Sequence, residues 1–162
     1  AIHETEEQFA AWGRILGYEA DFQAGEPSEE EAVIRVATSA SLYEDAEGAS
    51  VSFDQRVDAA RRANWSETYS TFQKLSQREL TADVQVDSLL WLRFTGFQES
   101  HPGEFKLIAD DWIAFRLGRA WGFLQVTSSA PEGVEDRDFM LSTIQVLLRK
   151  QIDHTLNSGV LK

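Results

Sequence analysis

The chain has 162 residues, 43% hydrophobic, 26% charged and 11% aromatic, with fifteen basic and twenty-seven acidic side chains and a formal net charge of −12. That length suits one domain of the usual ~100–200 residues, and the composition excludes a disordered tail, a collagen-like repeat and a low-complexity linker. Without cysteine, disulfides, zinc–thiolate sites, iron–sulfur clusters and thiol nucleophiles are excluded, and no apolar run approaches the ~20 residues that span a bilayer.

The chain opens on a capping-box pattern, Thr5-Glu6-Glu7-Gln8, which predicts a short helix with Phe9, Trp12 and Leu16 on one stripe. From Leu16 the period changes to two, and Leu16, Tyr18, Ala20 and Phe22 form the apolar side of a half-buried strand. Residues 25–31 read as a polar loop, and a β-branched strand follows over Ala32–Ala40. Asp45-Ala46-Glu47-Gly48 reads as a second loop, after which Ser50 caps a helix over about 51–63 with Phe53, Val57 and Ala60 on one face; Trp65 ends it. Residues 68–80 fit a strand and loop better than a helix.

The second half alternates more regularly. Val84 through Phe97 is apolar on both faces at its centre, so this strand is expected to be covered on both sides. A turn over Gln98–Gly103 leads to a strand from Phe105 through Leu117, with a bend expected at Asp110-Asp111. Gly118-Arg119 closes a hairpin and Trp121–Ser128 returns. Pro131 is read as opening a long terminal helix with Glu132, Glu135, Asp136 and Asp138 near its positive end, an apolar face of Leu141, Ile144, Leu148 and Ile152, and a stop at Asn157-Ser158-Gly159. The sum is a single α+β domain: an antiparallel sheet of about five to seven strands with a mid-chain helix and a long C-terminal helix.

The acidic surplus is concentrated. Residues 1–50 carry twelve Asp or Glu against only Arg14 and Arg35. Nucleic acid and anionic lipid surfaces would be repelled, since both are held by Lys and Arg. The surplus reads first as solubility, and otherwise as attraction for a basic partner protein or a loose hold on divalent cations.

Catalytic signatures are sparse. His3, His101 and His154 stand far apart in sequence and belong to no metal or nucleophile pattern. No glycine-rich phosphate loop is present, so no cofactor and no metal site is expected. Glu44-Asp45-Ala46-Glu47-Gly48 approaches a calcium loop, but Tyr43 takes the first ligand position and Asp54 stands where a Glu is wanted. Asp110 and Asp111 interrupt an apolar strand; a solvated kink is the preferred reading, and a bulge aimed at a cleft the alternative. Five tryptophans suit either core or a ligand groove, with core packing expected to claim at least three. Trp112 is out of phase with Phe105, Leu107 and Phe115, so it should point to the opposite face of the sheet. The candidate ligand-binding residues are Trp65, Asp110, Asp111 and Trp112; no catalytic residue is named.

The run Leu90-Trp91-Leu92-Arg93-Phe94, then Asp111-Trp112-Ile113-Ala114-Phe115, then Trp121-Gly122-Phe123-Leu124-Gln125-Val126-Thr127-Ser128-Ser129-Ala130-Pro131 and a helix with Ile144-Gln145-Val146-Leu147-Leu148 resembles the Mog1/PsbP-like fold, a group that includes bacterial extracytoplasmic lipoproteins. The resemblance spans about residues 50–150; the opening apolar-Pro-x-Gly-Trp of many members is missing. It implies an α/β/α sandwich acting as a non-enzymatic interaction or ligand-binding module. Three functions follow in order: an extracytoplasmic binding domain for a protein or small molecule, an acidic regulator docking onto a basic protein, and a small hydrolase or isomerase using Asp110 or Asp111 with a nearby histidine. The start at Ala1, with no initiating Met or leader, suits a secreted or lipid-anchored chain whose leader is gone, and equally a piece of a cytoplasmic protein. Oligomeric state stays open, an unpaired N-terminal edge strand being the candidate seam.

Overall fold

The structure, a computed structural model, describes residues 6–24, 32–131 and 133–157. Thr5 of the capping box, the loop 25–31, His3, Glu132 and the stop at Ser158-Gly159 lie outside the described residues, as does the side chain of Phe9.

The described residues form, in order, α1 (Glu6–Ala11), β1 (Arg14–Gln23), β2 (Ala32–Tyr43), α2 (Ala46–Arg62), α3 (Trp65–Thr68), β3 (Gln73–Leu80), β4 (Ser88–His101), β5 (Glu104–Leu117), β6 (Ala120–Ala130) and α4 (Leu141–Asn157). The six strands form one antiparallel sheet in the order β1-β2-β6-β5-β4-β3. After the β1–β2 hairpin, α2 carries the chain across one face to the far edge. The meander β4–β5–β6 then walks back until β6 pairs with β2. This is the α+β class read from the alternation, with tight turns where predicted: Gly103 and Gly118 both take positive φ, the region glycine enters without strain.

Strand alternation sends β4–β6 side chains to two covered faces. Phe53, Val57 and Ala60 of α2, with Trp65 and Tyr69, pack on Leu90, Leu92, Phe94 and Ala114. Ile144, Leu148 and Ile152 of α4 pack on Trp91, Ile113, Phe115, Leu124 and Val126 from the opposite side. Trp65, Trp91 and Trp121 are buried, and Trp112 points to the α2 face while Phe115 points to the α4 face.

Several local expectations need correction. Leu16 belongs to β1, not to the first helix. Asp45-Ala46-Glu47-Gly48 is no loop: Asp45 is the N-cap of α2, its Oδ1 accepting from the Gly48 N–H at 2.8 Å, so the carboxylate that resembled a calcium ligand satisfies a helix end instead. Ser50 lies inside that helix. The turn before β5 shrinks to Pro102-Gly103, because β4 runs to His101. Val84 and Val86 reach the α4-side core from an extended segment ahead of β4. No bend or bulge occurs at Asp110-Asp111, since β5 keeps register with both neighbours there. Pro131 does not open a helix. Residues 133–140 form an irregular strap, and α4 begins at Leu141 after Met140 at φ 63°.

β1 and β2 extend beyond the helical cover. Leu16, Tyr18 and Phe22 are each about 60% exposed, although they form the apolar side of β1. β1 is an edge strand, as the N-terminal seam expectation requires.

Tight cross-strand fit gives a first prediction. Gly122 sits opposite Phe115, and a Cβ there would run into the buried Phe115 ring. Gly122→Ala is expected to cost about 1–3 kcal/mol, the usual range for overpacking, lowering the urea midpoint at unchanged slope. An unshifted midpoint would contradict this packing.

Candidate functional site

Asp110 and Asp111 are consecutive on β5 and therefore point to opposite faces. Both are buried, so the solvated-kink reading is wrong: donors from other elements surround them. Asp111 faces α4. It pairs with Arg93, its cross-strand neighbour on β4, at 2.6 Å, with both side chains 0% exposed. The Trp91 indole N–H donates to its other oxygen at 2.7 Å. Burial pushes the Asp111 carboxyl above its ordinary value, while Arg93 and Trp91 pull it back. The same guanidinium donates to the carbonyls of Arg137 and Phe139 at 3.1 and 2.6 Å, and Arg78 donates to the Arg137 carbonyl and to Asp138. Carbonyls held this way are not available to a helical ladder, which is why the strap stays irregular.

Asp110 faces α2. It accepts from the Tyr69 hydroxyl, the Gln125 amide at 2.8 Å, the Thr127 hydroxyl at 3.0 Å and the Trp112 indole at 3.3 Å. Trp112 stands edge-on to Trp65, with centroids 4.8 Å apart. Trp65 in turn donates to the Ala60 carbonyl at 2.8 Å. Three of the four candidate residues, Trp65, Asp110 and Trp112, thus come together; Asp111 lies across the sheet. None of the three lines a ligand-sized cavity among the described residues. The gap among Arg56, Leu92, Trp112 and Phe123 holds about 10 Å³, at or below what one water needs. Among the described residues no histidine is a hydrogen-bond partner of either carboxylate. His101 lies opposite Glu104 at the turn, six residues and roughly 20 Å of strand from Asp110.

The larger concavity lies beside α2, where the sheet is uncovered. It holds about 430 Å³ and is lined by Arg14, Glu19, Arg35, Arg56, Trp121, Phe123 and Gln125, over small residues that include Gly17, Ser39 and Ser41. The strand register explains it: Gly17 faces Ser41, Ser41 faces Trp121, and Ser39 faces Phe123, so small side chains make a low floor between β1 and the aromatics. Trp121 is fixed from below by the Tyr43 hydroxyl, to which its indole donates at 2.9 Å, and Tyr43 is 2.6 Å from Ser52 of α2. Gln125 links the trough wall to Asp110. Sequence reasoning missed this site, although one signal was present: the only two basic residues among the first fifty, Arg14 and Arg35, both line it.

On the other face, β1 and α4 border an apolar groove lined by Leu16, Tyr18, Ala40, Leu42, His154 and Thr155.

The Tyr69 phenol is pushed far above its ordinary value, first by burial and then by the Asp110 carboxylate. A phenol that keeps its proton longer when folded stabilises fully below the unfolded value of ~10 and loses that contribution as pH rises beyond it. The stability difference between the native chain and Tyr69→Phe is expected to be flat from about pH 7 to 9, then to shrink by about 1.4 kcal/mol per pH unit above ~10. Urea unfolding of both proteins across that range checks it, and a difference that stays level would contradict the buried pair.

No family model matches the chain, and no curated protein matches it. Among solved structures, it is similar to the extracellular domain of PknH from Mycobacterium tuberculosis at a TM-score of 0.35 and 9% identity, over 90% of this chain and 70% of that one. That likeness is too distant to bear on fold or role.

Proposed function

We propose that this chain is a non-enzymatic binding domain whose ligand site is the trough between β1 and α2, and that it works outside the cytoplasm as a lipoprotein-like member of the Mog1/PsbP-like fold. The observation that carries the binding role is the contrast between the two polar regions. Asp110 and Asp111, the carboxylates best placed for chemistry, have each oxygen already accepting from a framework donor, and neither lines a cavity found among the described residues. The trough is concave, open and mixed in character, with about 430 Å³, the low end of the range for small-ligand sites.

The fold assignment is supported by helices on both faces of an antiparallel sheet and by the residue pattern from Leu90 to Leu148. The absence of cysteine is compatible with an oxidising exterior. Among the described residues no helix is long and apolar enough to cross a membrane. The acidic-regulator reading has less behind it, because Asp21, Asp58, Glu79, Asp87, Asp111 and Asp138 are each engaged by an arginine of the chain.

Titration of ¹⁵N-labelled protein with a charge-balanced fragment library tests the site. Fragments are expected to shift the amides of Gly17, Ser39, Ser41 and Gln125 together. A library in which no fragment of any charge moves these amides would overturn the reading. Recovery of the native protein in the cytosolic fraction of its own cells would overturn the extracytoplasmic half.

A further inference from the structure

Three guanidiniums converge on one trough in a chain of net charge −12. Arg14 and Arg35 come from the β1–β2 hairpin and Arg56 from α2, so the convergence depends on the packing of α2 beside the sheet and not on a run of basic sequence. Resting on the trough as the ligand site, we propose that its ligand is a small organic carboxylate attached to an aromatic or apolar body.

Each arginine is held before any ligand arrives. Arg56 lies over both the Trp121 and Phe123 rings, 5.1 Å from each centroid, which holds its guanidinium at the aromatic wall of the trough. Arg35 is gripped by Asp21 through Nε and Nη2, and Nη1 stands outside that pair. Arg14 lies across Gly17, where any Cβ would overlap its guanidinium; the glycine is the space in which the arginine rests. Preorganised donors bind with less ordering cost, and a planar fork matches a carboxylate edge in two parallel bonds.

Two features narrow the class. Glu19 lines the same trough, and its negative charge counts against polyanions such as nucleotides or polyphosphates. The volume of about 430 Å³ suits a small molecule and not a polymer segment. The Trp121 and Phe123 rings in the lining offer apolar contact for the body of the ligand.

Benzoate, neutral benzamide and cationic benzamidine share a ring and differ in charge, which makes them suitable probes. In ¹⁵N titrations, benzoate is expected to shift Gly17, Ser39 and Ser41 with an affinity at least about tenfold above that of benzamide, the worth of one charge-assisted bond. Benzamidine should be excluded. Affinity for benzoate should fall by about tenfold or more in Arg35→Gln and again in Arg56→Gln. Gly17→Ala should weaken it as well by displacing Arg14, with unfolding midpoints serving as the control for intact folding. Equal binding of benzamide or benzamidine at these amides would overturn the carboxylate assignment and leave the trough as a site. Failure of all three probes, while other fragments do move these amides, would also overturn the assignment. Silence from every fragment overturns the site itself.

Discussion

Two consecutive carboxylates at the centre of β5 organise both layers of this protein. Strand geometry sends Asp111 to one face and Asp110 to the other, and burial obliges each to be satisfied there. On the α4 side, Asp111 holds Arg93, and Arg93 reaches past it to the carbonyls of Arg137 and Phe139, so the strap that delivers α4 is clamped to the sheet. On the α2 side, Asp110 gathers Tyr69 from the segment after α3 and Gln125 and Thr127 from β6. A charge without partners in either place would cost more than a packed apolar side chain contributes. The pair is framework, and each of its carboxylate oxygens already accepts from a framework donor.

The second constraint is one of width. A six-stranded sheet is broader than the two long helices lying on it, and among the described residues β1 with part of β2 extends past α2 and α4. Alternation gives the two faces there opposite character. One carries Leu16, Tyr18 and Phe22 beside α4; the other carries Gly17, Ser39 and Ser41 beneath three arginines. Exposed apolar rows can mark contact surfaces, but the polar face gathers three arginines around one defined volume. The binding role therefore rests on that face, and it rests on the framework as well, because Gln125 links Asp110 to the trough wall.

The sequence made the meander legible. From β4 to β6, alternation with two apolar faces and short Gly-containing turns left little else for the chain to do, and the phase of Trp112 against Phe115 correctly separated the two cores. The N-terminal half was harder. Asp45-Ala46-Glu47-Gly48 has loop composition, yet an aspartate followed by small residues also starts a helix, and the packing of Ala49 and Phe53 on the sheet decides between them. The strap was misread for a clear reason: proline, then acids, then an apolar period is the pattern of a helix start. What competes with it is Arg78 and Arg93, some fifty residues upstream, and no local pattern reports partners at that distance. Asp110 and Asp111 were visible as an interruption, but their burial depends on donors spread over residues 69–127. The trough was half visible. The scarcity of basic residues in the first fifty singled out Arg14 and Arg35, whereas nothing distinguished Arg56 until β2 had paired with β6 and brought α2 alongside.

The most direct test of the organising role of these carboxylates is a double-mutant cycle on Arg93→Met and Asp111→Leu, read by urea unfolding. Each single variant leaves a buried charge uncompensated and is expected to lose about 3–5 kcal/mol, while the double variant should lose less than the sum by about 2–3 kcal/mol of coupling. Losses that add to within ~0.5 kcal/mol would show two independent side chains, and the account of a clamped strap and a sheet organised from its centre would be contradicted.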